Sequence, residues 1–155
     1  NLCKQHGADE GFVYPTGKLD RDQQKELSAK IKELTGGMGA NVVYDPVGDS
    51  YSEPCIRATA WDGRYLVIGF AAGEIPKIPI NLALLKGMKI VGVFWGAWVG
   101  MNPAENKKNF EELFKLHSEG KINPEVSDSF SLDDGAKAIA HLKDRKAKGK
   151  VIITI

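Results

Sequence analysis

Asn41-Val42-Val43-Tyr44-Asp45-Pro46-Val47-Gly48-Asp49 is the stretch of this sequence that decides its fold class. Residues 42–44 form an apolar run that stops abruptly at Asp45, which predicts a strand buried on both faces. Ligands of open parallel sheets bind just outside the carboxyl ends of such strands. The turn that follows contains Gly48, which lets a ligand approach the backbone closely. It is either a ligand-binding turn or an ordinary connection from strand to helix.

Predicted strands and helices alternate on both sides of this stretch. Helices are predicted over residues 20–34, 50–60, 103–119 and from residue 131, and strands over residues 11–14, 42–44, 64–70, 88–96 and 151–155. Trp61-Asp62-Gly63 is predicted to be a turn. Alternation of this kind predicts a parallel, doubly wound α/β sheet.

Gly36-Gly37-Met38-Gly39 resembles a phosphate-binding loop in composition but not in position. A dinucleotide-binding loop follows a strand and precedes a helix, so that the amino end of the helix faces the pyrophosphate. These glycines follow a predicted helix and precede a predicted strand. We therefore interpret them as a helix cap and connecting turn.

Composition excludes several functional classes. A net charge of +1, with lysines balanced by acidic residues, offers no basic surface for nucleic acid. Cys3 and Cys55 have no metal-ligand spacing to each other or to the three histidines, so no protein-bound metal is predicted. The longest apolar run, residues 91–99, is too short and too rich in glycine to span a membrane.

For two other segments, the sequence is compatible with either a structural or a ligand-binding role. The aromatic residues Phe94 and Trp95 end a predicted strand, where they either cap the core or face a ligand. The basic turn over residues 145–150 is either solvated or holds a phosphate group.

Several motifs, in this order and spacing, resemble the medium-chain dehydrogenase/reductase superfamily, and within it the NADPH:quinone oxidoreductase (zeta-crystallin-like) branch. The motifs extend through almost the whole chain: Gly7-Ala8-Asp9, Leu34-Thr35-Gly36-Gly37, Val43-Tyr44-Asp45-Pro46-Val47-Gly48, Gly63-Arg64-Tyr65-Leu66-Val67-Ile68-Gly69-Phe70, Leu85-Lys86-Gly87 and Gly149-Lys150-Val151.

This resemblance implies that residues 1–155 form part of one Rossmann-type nucleotide-binding domain. The first two strands and the glycine fingerprint of such a domain have no counterpart in the sequence. The chain therefore resembles a carboxyl-terminal piece of a longer enzyme. Its sheet is expected to have a gap between the strand at residues 11–14 and the strand at residues 42–44.

The resemblance also implies which residues contact the cofactor. It places Tyr14 near the adenosine, Val47 beside a ribose and Arg145 on a distal part of the cofactor. The remaining expected contacts are Gly69, Phe70, Ala71 and Ala72 at the nicotinamide, and Phe94, Trp95 and Gly96 at its carboxamide. No catalytic residue and no metal ligand is assigned in this chain.

The function implied by the family is hydride transfer from NADPH to a small quinone or α,β-unsaturated carbonyl compound, without zinc. NAD(H) remains an alternative cofactor, and the chain alone is expected to be inactive. Two rival functions stay open: an enoyl-thioester reductase of the same superfamily, and a non-catalytic dimerisation or binding module. A cytoplasmic location is predicted, with a mitochondrial one as the alternative.

The strand from Ile90 to Trp95 carries no charged residue. As the final member of the sheet it would present an unprotected apolar edge. Relatives of this family dimerise through such a strand, so we expect a homodimer in which the sheet continues across the two-fold axis.

Overall fold

The computed structural model describes residues 2–155, which form two compact units: the first ends at Trp95 and the second runs from Gly96. The assignment of the whole chain to one partial nucleotide-binding domain stays a prediction. In the first unit the helices are α1 (Leu2–Gln5), α2 (Arg21–Leu34), α3 (Ser52–Arg57) and α4 (Asn81–Lys86), and the strands are β1 (Ala40–Asp45), β2 (Thr59–Val67) and β3 (Lys89–Gly92).

The three strands of the first unit form one parallel sheet in the order β1-β2-β3. Each strand is followed along the chain by helix and then by the next strand, which confirms the predicted α/β class. A short 3₁₀ helix, Asp49–Tyr51, lies between β1 and α3. Parallel strands joined in this way bring their carboxyl ends to one edge of the sheet.

Helix α2 confirms the helix predicted over residues 20–34, and its start has a clear local cause. The Asp20 carboxylate accepts hydrogen bonds from the backbone N–H groups of Asp22 and Gln23, both at 2.9 Å. The Gln23 side chain in turn accepts from the Asp20 N–H at 2.9 Å, which completes a capping box. Such a cap contributes about 1 kcal/mol to helix stability.

The prediction that the 42–44 strand is buried on both faces is wrong. Helices α3 and α4 cover one side of the sheet, where Val43 packs against the buried cluster of Ile56, Tyr65, Leu82 and Met88. On the opposite side Val42 is 45% exposed and Tyr44 is 66% exposed. Among the described residues of the first unit, no helix packs against that side of β1, so an apolar run is only half buried.

The strand predicted over residues 11–14 is also absent, because these residues have an irregular conformation. Val13 is 99% exposed. A β-strand requires a neighbour that completes its hydrogen bonds, and in residues 2–155 no strand pairs with this segment. Local sequence predicts extended structure but does not provide the partner.

Strand β2 contains the residues predicted as a turn. Its pairing with β1 passes from Thr59 opposite Ala40 directly to Arg64 opposite Val42, so residues 60–63 form a bulge. A Cβ on Gly63 would lie 2.6 Å from Thr59 Cγ2, which explains the glycine. The strand predicted over residues 64–70 ends at Val67, since the chain then turns back onto the end of β1.

Strand β3 is shorter than the predicted strand over residues 88–96, because it ends at Gly92 and Trp95 begins helix α5 (Trp95–Met101). β3 nevertheless lies at one edge of the described sheet, as predicted.

The second unit contains a separate parallel pair of strands. Its elements are α5, α6 (Pro103–Ser118), β4 (Val126–Ser131), α7 (Gly135–Lys143) and β5 (Lys150–Thr154). β5, the final strand of the sequence, pairs with β4 rather than with the sheet of the first unit. None of the helices in residues 2–155 has both the length and the apolar composition needed to cross a membrane.

The two cysteines differ in their surroundings. Burial, with a smaller contribution from the charge of Asp45, raises the pKa of the Cys55 thiol to about 12, whereas Cys3 is exposed. Because the thiolate is the nucleophile, we expect iodoacetamide at neutral pH to modify Cys3 and leave Cys55 intact in the folded protein. Peptide mass spectrometry, with Cys3→Ser as control, would detect this pattern. Equal labelling of both cysteines would contradict it.

Candidate functional site

The turn at the carboxyl end of β1 is built around Gly48. This residue has φ +76°, and a Cβ placed on it would lie 2.8 Å from Phe70 Cδ1 and 3.1 Å from Phe70 Cα. Only glycine satisfies both the left-handed backbone and the close approach of Phe70. The turn is therefore packed directly against the loop that follows β2.

Backbone hydrogen bonds join these two segments, which we call the β1 turn (residues 46–48) and the β2 loop (residues 68–72). The Asp45 carbonyl accepts from the N–H groups of Ile68 at 3.0 Å and Gly69 at 3.3 Å. Ala71 N–H donates to the Pro46 carbonyl at 3.0 Å. Ala72 N–H donates to the Val47 carbonyl at 2.9 Å. The structure thus brings together Val47 and Gly69–Ala72, five of the residues predicted to contact the cofactor.

Gly69 has room for a side chain beside the β1 turn. A Cβ there would make only an ordinary contact, with the Pro46 carbonyl oxygen at 3.5 Å, and its φ lies outside the left-handed region. The protein itself therefore does not require glycine at this position. The neighbouring Phe70 ring is 38% exposed. A flat ligand ring can approach the backbone between the two segments.

Tyr14 approaches the β1 turn through Tyr51. The two rings are 5.3 Å apart, and Tyr51 belongs to a buried cluster against which Val47 packs. The Tyr51 hydroxyl lies 2.7 Å from the Gly17 carbonyl and 2.9 Å from the Pro15 carbonyl, so it holds the segment that carries Tyr14. A cavity of about 300 Å³ lies beside Tyr14, lined also by Phe12, Leu27 and Lys30.

Phe94 and Trp95 do not cap the core. Phe94 is 80% exposed and Trp95 is 57% exposed. The N–H of Val93 donates to the Val67 carbonyl at 3.0 Å, which places the start of this aromatic segment beside the end of β2. Of the two interpretations left open by the sequence, burial in the core is wrong, and contact with a ligand stays a prediction.

Gly96 and Arg145 belong to the second unit. Gly96 lies in α5 and is exposed, and Arg145 is an exposed residue in the turn after α7 with φ +55°. The predicted contacts of these two residues with the cofactor stay predictions.

Sequence reasoning missed the side chains beneath the β1 turn. The Asp45 carboxylate is buried, 6% exposed, and receives hydrogen bonds from two hydroxyl groups, those of Ser52 and Tyr65. The sequence did contain a signal for these side chains, because Asp45 directly follows an apolar run. A buried carboxylate needs hydrogen-bond donors, so donors near Asp45 could have been expected. In the described part of the chain, no group of three or more His, Cys, Asp or Glu side chains could hold a metal ion.

The family model described as zinc-binding dehydrogenase matches residues 6–153. This chain belongs to that family. Members similar to it place it in the quinone oxidoreductase-like branch of the medium-chain dehydrogenase/reductase superfamily. Quinone oxidoreductase-like protein 2 of Rattus norvegicus is 33% identical over 154 residues, which cover 99% of this chain and 42% of the rat protein. Its homolog in Nematostella vectensis is 37% identical over 131 residues, 84% of this chain and 36% of that protein.

Solved structures of the superfamily have the same fold. The structure of an NAD-dependent alcohol dehydrogenase is 28% identical, with a TM-score of 0.77. The match covers 99% of this chain and 40% of the dehydrogenase chain. A mycobacterial protein crystallised with NADPH has a TM-score of 0.80 at 24% identity, covering 99% of this chain and 46% of its own. The chain therefore spans about two fifths of the length of the family members it matches.

Proposed function

We propose that this chain is the nucleotide-binding part of a zinc-independent, NADPH-dependent oxidoreductase that reduces a quinone or an α,β-unsaturated carbonyl compound. The observation that carries the proposal is the pair of joined segments at the carboxyl ends of β1 and β2, with room for a side chain at Gly69. Parallel α/β sheets bind nucleotides at this edge. The names of the quinone oxidoreductase-like relatives supply the substrate class.

The bound nicotinamide would supply the hydride, so the task of these residues is to hold and orient it. Val47 packs against the buried cluster of Leu19, Leu27 and Tyr51, which makes it a rigid wall for the ribose. Gly69 would let the nicotinamide ring approach the backbone, and the exposed Phe94 would contact its carboxamide. These roles require no acid or base in this part of the protein.

A second function of the same superfamily also has specific support. Acryloyl-coenzyme A reductase of Sulfurisphaera tokodaii is 28% identical over 129 residues, covering 83% of this chain and 34% of that enzyme. NAD(H) is the alternative cofactor, because an NAD-dependent alcohol dehydrogenase of Sulfolobus acidocaldarius is 25% identical over 155 residues. The proposal includes a cytoplasmic or mitochondrial location.

The test is an assay of the protein expressed from its complete reading frame. NADPH and NADH oxidation are followed with a benzoquinone, with a naphthoquinone and with acryloyl-coenzyme A, before and after dialysis against a chelator. Quinone-dependent oxidation that survives dialysis supports the proposal. A preference for acryloyl-coenzyme A would support the second function instead. If the protein neither binds nor oxidises either cofactor, the proposal is wrong and the non-catalytic binding module is favoured.

Replacing Gly69 with valine should weaken cofactor binding without unfolding the protein. The backbone accepts a side chain there, and the nearest protein atom to a Cβ is at 3.5 Å. The branched side chain would occupy the space assigned to the nicotinamide, so we expect Kd for NADPH to rise by about tenfold or more. Calorimetric titration and the melting temperature measure the two effects.

Gly48→Ala is the contrasting variant, at a glycine that the fold itself requires. It should lower the melting temperature, because its Cβ would lie 2.8 Å from Phe70 and the backbone is left-handed. A Gly69→Val protein that is stable and binds NADPH like the parent would show that the nicotinamide lies elsewhere.

A further inference from the structure

The Asp45 carboxylate is a buried anion held by four donors. Its Oδ1 accepts from the N–H groups of Val47 at 2.8 Å and Gly48 at 3.0 Å. Its Oδ2 accepts from the Ser52 hydroxyl at 2.8 Å and from the Tyr65 hydroxyl. Ser52 is fully buried and Tyr65 is 3% exposed, so water does not compete for these bonds. Each oxygen therefore has a separate role: one holds the β1 turn and the other is anchored to the core.

The same residue also fixes the second segment of the candidate site. Its carbonyl receives the N–H groups of Ile68 and Gly69, the first two residues of the β2 loop. Asp45 thus contacts the β1 turn through its side chain and the β2 loop through its backbone. A shift of this one residue would move Val47 and Gly69 relative to each other.

Hydrogen bonds stabilise the charge of this carboxylate. Together with burial, its charge raises the pKa of three titratable groups: Tyr65 on β2, Cys55 on α3 and Tyr14 on the irregular segment before α2. Burial by itself raises the pKa of the Asp45 carboxyl, but the bonds from Tyr65, Gly48, Ser52 and Val47 outweigh it and lower the pKa below its ordinary value of 3.8. The folded protein therefore keeps Asp45 ionised at neutral pH.

We propose that Asp45 is a positioning residue for the cofactor: its carboxylate, anchored by Ser52 and Tyr65, holds the β1 turn in register with the β2 loop and thereby sets cofactor affinity. This inference rests on the proposed function. Asp45 itself is buried beneath the turn, so it would act on the cofactor through the turn and not by direct contact. The hydroxyl groups of Ser52 and Tyr65 would affect cofactor affinity through this carboxylate.

The first test replaces Asp45 with asparagine in the protein expressed from its complete reading frame. The amide has a single acceptor oxygen and no charge, so it cannot satisfy all four donors. We expect Kd for NADPH at neutral pH to rise roughly tenfold or more, since hydrogen bonds to a charged group are strong. The control, Asp62→Asn, makes the same change at an exposed aspartate that pairs with Lys89 at 2.6 Å, and should leave Kd unchanged.

The second test separates positioning from general stability. Tyr65→Phe removes one donor and raises the pKa of Asp45, so the carboxylate becomes protonated at a higher pH. A carboxyl group with a lowered pKa stabilises the fold above that pKa and loses this effect as the pH falls through it. In the variant, the carboxylate should therefore stop holding the β1 turn at a higher pH than in the wild type. The ratio of variant to wild-type Kd should therefore increase as the pH falls from neutral to about 4, the ordinary range in which an aspartate titrates. The phosphates of the cofactor titrate in both measurements, so their effect on Kd cancels in this ratio.

The outcomes distinguish the two proposals. If the wild-type protein binds NADPH or NADH but Asp45→Asn binds equally well, or Tyr65→Phe shows a constant Kd ratio and only a lower melting temperature, the positioning role is wrong and the proposed function stands. If the wild-type protein binds neither cofactor, the proposed function fails and the inference fails with it. Should Asp45→Asn not fold, Tyr65→Phe and Ser52→Ala decide the question by the same pH series.

Discussion

The Gly92→Pro variant is expected to be a monomer, or to aggregate, where the unmodified protein is a homodimer. Homodimerisation through β3 is our proposal, based on an apolar edge strand whose outer side pairs with nothing in the described residues. Val93 N–H donates to the Val67 carbonyl, so Val91, two residues earlier, also faces β2. The N–H and carbonyl groups of Ile90 and Gly92 therefore point to the open edge.

The direction in which each backbone N–H of β3 points decides which substitution tests the interface. Proline at position 91 would remove an N–H that faces β2 and would weaken the sheet itself. Proline at position 92 removes an outward N–H from each protomer, which costs about 3 kcal/mol or more across a two-fold interface, roughly a hundredfold in the dimer Kd. Gly92→Ala is the matched control, because no atom lies within 4 Å of the added Cβ and the N–H is kept.

Analytical ultracentrifugation or light scattering at micromolar concentration measures this effect. We expect dimer for the unmodified protein and for Gly92→Ala, and monomer or aggregate for Gly92→Pro. A monodisperse monomer for the unmodified protein would rule out the edge-strand dimer. A dimer that persists in Gly92→Pro would place the interface on another surface.

The second large effect is expected for the 155-residue chain studied alone, which should bind NADPH with a Kd weaker than about 1 mM. A dinucleotide pyrophosphate is held mainly by a glycine-rich turn between a strand and a helix amino end. No GxGxxG motif occurs in the sequence. In the β1 turn the N–H of Gly48 already donates to the Asp45 carboxylate, and immediately after the turn the N–H of Asp49 donates to the Glu74 carbonyl at 3.1 Å.

Isothermal titration of the chain and of the protein from its complete reading frame makes this comparison directly. The longer protein should bind at least about a hundredfold more tightly, since it would add the pyrophosphate contacts. Micromolar affinity of the chain alone would falsify the expectation and would assign the whole cofactor site to residues 2–155.

Local signals explain which parts of the fold could be predicted. The Asp20 capping box determines where α2 begins, and its interactions span only three residues. The Asp45-Pro46 pair ends β1 because proline cannot continue a hydrogen-bonded ladder. The turn at Gly48 and the loop at Gly69 were likewise recognisable, because a strand must be followed by a connection and glycine permits close backbone approach.

Errors occurred where the outcome depends on a distant partner. Residues 11–14 have the composition of a strand but pair with none among the described residues. Tyr44 lies in an apolar run yet is 66% exposed, because none of the described helices of its unit covers that side. Strand β5 pairs with β4, more than twenty positions earlier, which no local pattern could indicate.

The sequence by itself determined the α/β class and the carboxyl ends of the strands as the place of the candidate site, because strand periodicity, helix caps and turn residues act over short distances. Tertiary structure alone decided that the Asp45 carboxylate is buried beneath the β1 turn and receives the hydroxyl of Tyr65, twenty positions later. The physical reason is that a buried charge is stable only where the fold assembles enough donors around it. Those donors come from separate elements, so their convergence is a property of the packed molecule.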